Sequence, residues 1–214
     1  MNQPALYVFA GPNGAGKSSV SSSLMETGTP IFDGDKEFLK LKKTFDQTDS
    51  GALYDAVNGH VFTDWKEDQL GALKDCAFET NFRSAEVMDT VSQFKAKGYE
   101  VHLLFFGLDS VEASIQRVQL RVAGGGHDVS PENIKANYTE GLKNLYRFSK
   151  DFHTTTCYQN LAKPDEAMQI EPLMIIENGV ITEQVKDQPD WLKEFTKTAL
   201  KPITRKSRRK GLGL

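Results

Sequence analysis

"LYVFAGPNGAGKSSV", residues 6–20, contains the pattern that decides the fold. With Ala5 ahead of it, the run to Ala10 is almost wholly apolar. Such a run suits a strand buried on both faces at the centre of a parallel sheet. Gly11, Gly16, Lys17 and Ser18 then satisfy G-x-x-x-x-G-K-[ST]. The chemistry needs these residue types. Glycines let backbone N–H groups turn inward toward an anion without steric cost. A helix expected from about Lys17 to Met25 adds the positive end of its dipole. Lys17 is expected to reach the β and γ phosphates of a nucleotide, and the Ser18 hydroxyl to bind Mg²⁺. The expected nucleotide-binding segment is therefore Gly11, Pro12, Asn13, Gly14, Ala15, Gly16, Lys17, Ser18 and Ser19. Average residue usage produces this pattern by accident in only about one chain of this length per hundred. Here it also follows a strand and opens a helix, as the motif requires.

The rest of the chain alternates strands with helices. "TPIF" ends near Asp33 as a second strand, and "DKEFLKLKKTF" spaces Phe38, Leu41 and Phe45 at helical intervals. Residues 51–75 read as one or two helices anchored by Phe62, Trp65, Leu70 and Leu73. "CAFET" is a third strand, "SAEVMDTVSQFKAKG" a helix closed by Gly98, and "YEVHLLFFGL" the clearest strand of all. "DSVEASIQRVQLRV" is a helix capped by Asp109 or Ser110, and Gly124–Gly126 interrupts the pattern. The next helix has Ser130 as cap and Pro131 in its first turn. "TTTCYQN" is a further strand candidate, and "LMIIENGVITEQV" a hairpin around Asn178–Gly179. A last amphipathic helix carries Trp191, Leu192 and Phe195. This alternation predicts an α/β fold: a P-loop NTPase- or kinase-like parallel sheet flanked by helices, with a helical lid over about 117–147.

Composition narrows the alternatives. At 214 residues with 39% apolar content, the chain fits one domain with a real core, expected over residues 1–200. The net charge of −3 gives no expectation of nucleic-acid or membrane binding. The end, "KPITRKSRRKGLGL" (201–214), has six basic residues and no acidic one, and reads as a solvated, disordered tail. Cys76 and Cys157 are isolated in apolar stretches and read as buried thiols of a reducing compartment. No apolar run reaches spanning length and no leader is evident, so a cytoplasmic protein is expected.

A phosphate cradle defines only a donor, and the acceptor side must come from the ends of neighbouring strands, which face the ligand crevice in open α/β sheets. "IFDGDKEF" places Asp35 just beyond the second strand, where a carboxylate can accept the proton of an attacking hydroxyl. Asp33 competes for that role, and Asp35 is equally well placed to cap the following helix. "FETNFRS" offers Glu79 for an acceptor hydroxyl or metal-bound water, with Thr80, Asn81 and Arg83 for the acceptor's polar groups. Against this, a polar cluster at a strand end is often no more than a cap. Arg117 and Arg121 lie four apart on one helix, so they share a face and can clamp a transferring phosphoryl group. The alternative is a solvated basic edge. His127, after the glycines, reads as a hinge or loop residue.

The ordered set "FAGPNGAGKSS", "FDGD", "FETNF", "GYEVHLLFFGL", "SIQRVQLRVAGGGHDVSPENI" and "LKNL" resembles the zeta toxin family of P-loop kinases, in particular its short stand-alone bacterial members, over about residues 5–160. The resemblance implies an ATP- and Mg²⁺-dependent kinase that phosphorylates a sugar hydroxyl of UDP-N-acetylglucosamine, one relative using NAD instead. It implies Lys17 and Ser18 at phosphate and metal, and Asp35 as base. Glu79 and Thr80 would lie in the acceptor site, with Arg117 and Arg121 as phosphate-binding arginines of the lid. Short members carry an arginine just before the tyrosine of the second lid helix, where this chain has Ala136 and Asn137 before Tyr138. Lys135 or Arg121 would then cover that role, or the lid clamps less tightly. The P-loop strand starts so near the first residue that any neutralising antitoxin is expected on a separate chain. Two other readings stand beside this one: a nucleotide-switched binding module, and a nucleoside, nucleotide or dinucleotide kinase.

Overall fold

The computed structural model describes residues 3–160 and 170–199. The opening apolar run is β1 (Ala5–Ala10), and the glycine-rich bend after it feeds α1 (Lys17–Leu24). A short β2 (Ile31–Phe32) leads into α2 (Gly34–Thr44) and α3 (Ser50–Ala56). A single π-helical stretch, Val57–Val61, joins α3 to α4 (Phe62–Ala72). Then follow β3 (Cys76–Thr80), α5 (Val87–Ala96), β4 (Glu100–Gly107), α6 (Val111–Ala123) and α7 (Pro131–Phe148). The described chain closes with β5 (Thr154–Asn160), the hairpin β6 (Ile170–Glu177) and β7 (Val180–Gln184), and α8 (Asp190–Ala199).

The seven strands among the described residues form one sheet in the order β2-β3-β1-β4-β5-β6-β7. The first five are mutually parallel, with Val8 registered against Phe78 on one side and Leu103 on the other. β6 and β7 add an antiparallel edge, turned at Asn178 and Gly179 with φ of 48° and 78°. The fold is thus an α/β P-loop fold whose parallel core carries a hairpin on one side. β1 sits where the chain's excursions reverse, with β3 reached first on one flank and β4 later on the other. Crevices for ligands open at such points, at the strands' carboxyl ends.

Burial explains the layering. On one face Leu6, Val8, Phe78, Val101, Leu103, Phe105 and Cys157 meet Phe38, Leu53, Val57, Phe94, Leu145, Leu192 and Phe195 from the helices. On the other, Phe9, Ala77 and Phe106 pack with Ala15 and Val20, while Tyr7, Leu104 and Tyr158 are half-buried. Two expected anchors behave otherwise. Leu73 is 55% exposed because it ends α4 in the left-handed conformation, φ 50°. Phe45, at the end of α2, is 52% exposed. Ser110, rather than Asp109, caps α6 by accepting from the Ala113 N–H, and Ser130 caps α7 through Asn133 N–H. Both cysteines are free and buried. No helix among the described residues is long and apolar enough to cross a membrane. The basic segment 201–214 lies outside the described residues.

Candidate active site

A cleft of about 1530 Å³ opens above the carboxyl ends of β1, β2 and β3. Its walls include Lys17, Ser18, Asp33, Asp35, Glu79, Thr80, Asn81, Arg83, Arg117 and Arg121. The glycine-rich bend forms one side. Gly11, Gly14 and Gly16 all have positive φ (136°, 77° and 92°), a conformation that glycine adopts without steric cost. The bend has no room for larger residues, since a Cβ on Gly14 would lie 2.8 Å from Arg117 Cβ. Pro12 and Ala15 are buried beneath it, and Ala15 packs with Phe9 and Phe106.

Lys17 Nζ donates to the carbonyls of Gly11 (2.8 Å) and Pro12 (3.1 Å) and to Asn81 Oδ1 (3.1 Å). Burial lowers its pKa, and the nearby charges of Glu79, Asp35 and Asp33 oppose that shift while Arg121 adds to it. An ammonium held in such a place gains most from an arriving polyanion. Glu79 is the opposite case. It accepts from Ser18 Oγ (2.6 Å) and Ser21 Oγ (2.8 Å). Burial raises its pKa, with Asp33 adding to the rise, while the two serine hydroxyls and Lys17 oppose it.

The two aspartates after β2 divide their work. Asp33, with β-region angles φ −121° and ψ 104°, caps α2 by accepting from the N–H groups of Asp35 and Lys36. Asp35 therefore does not cap the helix. It stands in the first turn, 45% exposed, with Oδ2 3.7 Å from Arg121 Nη1. Arg121 also donates to the His127 carbonyl (2.8 Å). Arg117, one turn earlier, lies toward the glycine bend, with Nη1 3.4 Å from the Gly14 carbonyl. The shared face of α6 thus spans the cleft, one guanidinium over the bend and one over Asp35. Arg121 Nε is buried without an acceptor among the described residues.

The residues fit a small divalent cation. Asp33 Oδ2 is buried and accepts no hydrogen bond, although Lys36 Nζ is 3.2 Å away. Ser18 and Glu79 line the same cleft, so the three could offer a cation oxygen donors. No group of three or more His, Cys, Asp or Glu among the described residues is arranged as a self-sufficient metal cage. Mg²⁺ needs none, because it is commonly held by one or two carboxylates together with substrate phosphates.

Sequence reading missed several wall residues. Tyr54 of α3 hydrogen-bonds His127 Nε2 and stacks on Phe38 at 4.0 Å between centroids. Burial, with the charge of Asp35 adding, pushes the Tyr54 phenol up to about 12. Asn58 lines the cleft from the π-helical stretch, a conformation with no reliable sequence signal. Asn137, noted only as a departure from a pattern, donates to Asn13 Oδ1 at 2.7 Å.

No family model matches the chain. It is 24% identical to an uncharacterized protein of Haemophilus influenzae, over 64% of this chain and 94% of that one. Among solved structures, it resembles one from the PezAT chromosomal toxin-antitoxin system of Streptococcus pneumoniae, with TM-score 0.59 and 20% identity. That match covers 78% of this chain and 70% of the other. It also resembles AvrRxo1-ORF1:-ORF2 with ATP, with TM-score 0.61 and 15% identity, over 94% of this chain and 66% of the other. At these identities the likeness is one of fold.

Proposed function

We propose that this chain is an ATP-dependent kinase that moves the γ-phosphoryl group onto an alcohol. In this reading the alcohol is a sugar hydroxyl of a nucleotide-sugar such as UDP-N-acetylglucosamine. The observation that carries it is the position of Asp35: freed from capping by Asp33, paired with Arg121, and on the same cleft as Lys17 and Ser18. A carboxylate so placed suits a base that takes the proton of an attacking hydroxyl. The oxygen would then bond to the γ phosphorus as the bond to the β–γ bridging oxygen breaks. Lys17, Arg117 and Arg121 would neutralise the charge that spreads over the transferred group and onto the departing ADP. The backbone from Gly11 to Ser19 would cradle the phosphates, with Ser18, Glu79 and Asp33 as holders of Mg²⁺. When bound, Mg²⁺ would supply further neutralisation of phosphate charge. Glu79, Thr80, Asn81 and Arg83 would bind the acceptor. The cleft is large enough for two nucleotide-sized ligands together, which supports a nucleotide-sugar or dinucleotide over a bare sugar.

The reading extends to partners and place. Both solved relatives above are named for two-component systems, which supports a separate antitoxin chain for this protein. Residues 1–200 would act as one cytoplasmic unit, with the basic tail dispensable for transfer. The test is incubation with ATP, Mg²⁺ and a metabolite extract, read by mass spectrometry. The expected result is one metabolite class heavier by a phosphoryl group. Nucleotide binding without any such product would leave only a nucleotide-switched binding module.

A further inference from the structure

Helix α7 carries three buried residues on one face at i, i+4 and i+7: Asn137, Gly141 and Asn144. Each meets a different piece of the cleft. Asn137 is 7% exposed and donates to the side chain of Asn13 in the glycine bend. Asn13 is itself buried, and its carbonyl is held from α6 by Ser114 Oγ at 2.5 Å. Gly141 lies so close to the loop after β3 that a Cβ there would be 2.7 Å from the Asn81 carbonyl. Asn144 donates to the carbonyls of Phe82 (2.8 Å) and Arg83 (3.1 Å).

The loop held by Gly141 and Asn144 is strained. Phe82 is fully buried with φ of 55°, a left-handed conformation that costs a non-glycine residue. Its N–H is taken by Thr80 Oγ1 (3.0 Å) and its carbonyl by Asn144. Such a conformation persists only where the surroundings over-determine it. The Asn81 side chain ahead of it accepts from Lys17, so the same loop touches the phosphate lysine.

We infer that α7 is a fixed spacer, whose Asn137–Gly141–Asn144 face sets the position of the nucleotide-holding bend relative to the acceptor-holding loop 81–83. All three act as positioning residues, working through those loops. A side-chain pair at Asn137 and Asn13 fixes the bend where the resembling family would place an arginine. Only the acceptor half of this inference rests on the kinase reading; the nucleotide half does not.

The experiment uses the full chain with Mg²⁺ and AMP-PNP as nucleotide probe, read by calorimetry and by amide hydrogen exchange. Asn137→Ala is expected to weaken AMP-PNP binding up to about tenfold, because the nucleotide must then order a bend that the asparagine pair no longer holds. Exchange should rise over residues 11–16 and stay low over 81–83. Asn144→Ala should do the converse, raising exchange over 81–83 while 11–16 stays low, with AMP-PNP affinity falling less than for Asn137→Ala. Gly141→Ala keeps both asparagines and should raise exchange over 81–83 alone, so it decides the matter where Asn137→Ala does not fold. Equal rises in both segments for every variant, or unchanged exchange over 81–83 in Gly141→Ala, overturns the proposal. Failure of the wild type to phosphorylate any alcohol would refute the kinase reading while leaving these binding and exchange results to decide the spacer.

Discussion

Asp33 and Asp35 are two residues apart and chemically identical, yet only Asp33 is taken up by the helix cap. The difference is backbone angle: Asp33 sits in the extended region just before α2, where its oxygen reaches the first free N–H groups, and Asp35 is already helical. Both roles were legible in "FDGD" and their assignment was not, because the choice depends on where β2 stops. The arginines show the same limit. Their i, i+4 spacing gave the common face, but not that Arg117 lies toward Gly14 and Arg121 toward Asp35. Two outcomes follow at this scale. If the Lys17 ammonium meets the phosphates as proposed, Lys17→Met should weaken ATP binding at least tenfold, measured by calorimetry. Arg121→Ala should lower kcat by about 10²–10³ with ATP affinity changed only a few-fold, if its guanidinium stabilises charge that appears in the transition state. A loss of ATP affinity with kcat unchanged would make it a ground-state ligand.

Elements whose signal is local were read with little error: the buried run of β1, the Asn178–Gly179 hairpin, the cap at Ser130, and Ser110 as one of two candidates for the cap of α6. Errors arose where tertiary contact decides. Leu73 has the right spacing for a core anchor, but α4 ends one residue too early to bury it. The docking of α8 is a clearer tertiary event. Trp191 lies across the end of β4 and fills the space where Gly107 would carry a side chain. Gly107→Ala should therefore cost about 1–3 kcal/mol, by the overpacking typical of a filled core. Denaturant melts followed by far-UV circular dichroism would measure it. A change below about 0.5 kcal/mol would show that α8 rests on the sheet more loosely than its buried face implies.

At the scale of the molecule, one sheet brings a glycine-rich bend, the loop after β3 and a paired carboxylate to a single cleft, and buries both thiols on the way. Burial, with Asp75 adding, pushes Cys76 from 9.0 up to about 12, and burial alone raises Cys157 further. The folded state thus favours the neutral thiols. Their contribution to stability is complete below the ordinary thiol pKa and is lost as pH rises above it toward the raised folded values. Native protein should therefore resist iodoacetamide at pH 8 and label at both cysteines once unfolded, as mass spectrometry would show. Labelling at the unfolded rate would mean that the sheet opens far more readily than its burial indicates. The most direct test of the central claim compares wild type with Asp35→Asn in single-turnover transfer from [γ-³²P]ATP to UDP-N-acetylglucosamine, at matched ATP occupancy. The account predicts labelled sugar nucleotide from wild type, and a rate about 10²–10⁴ lower from Asp35→Asn with ATP bound as tightly. Equal rates from the two proteins would contradict it.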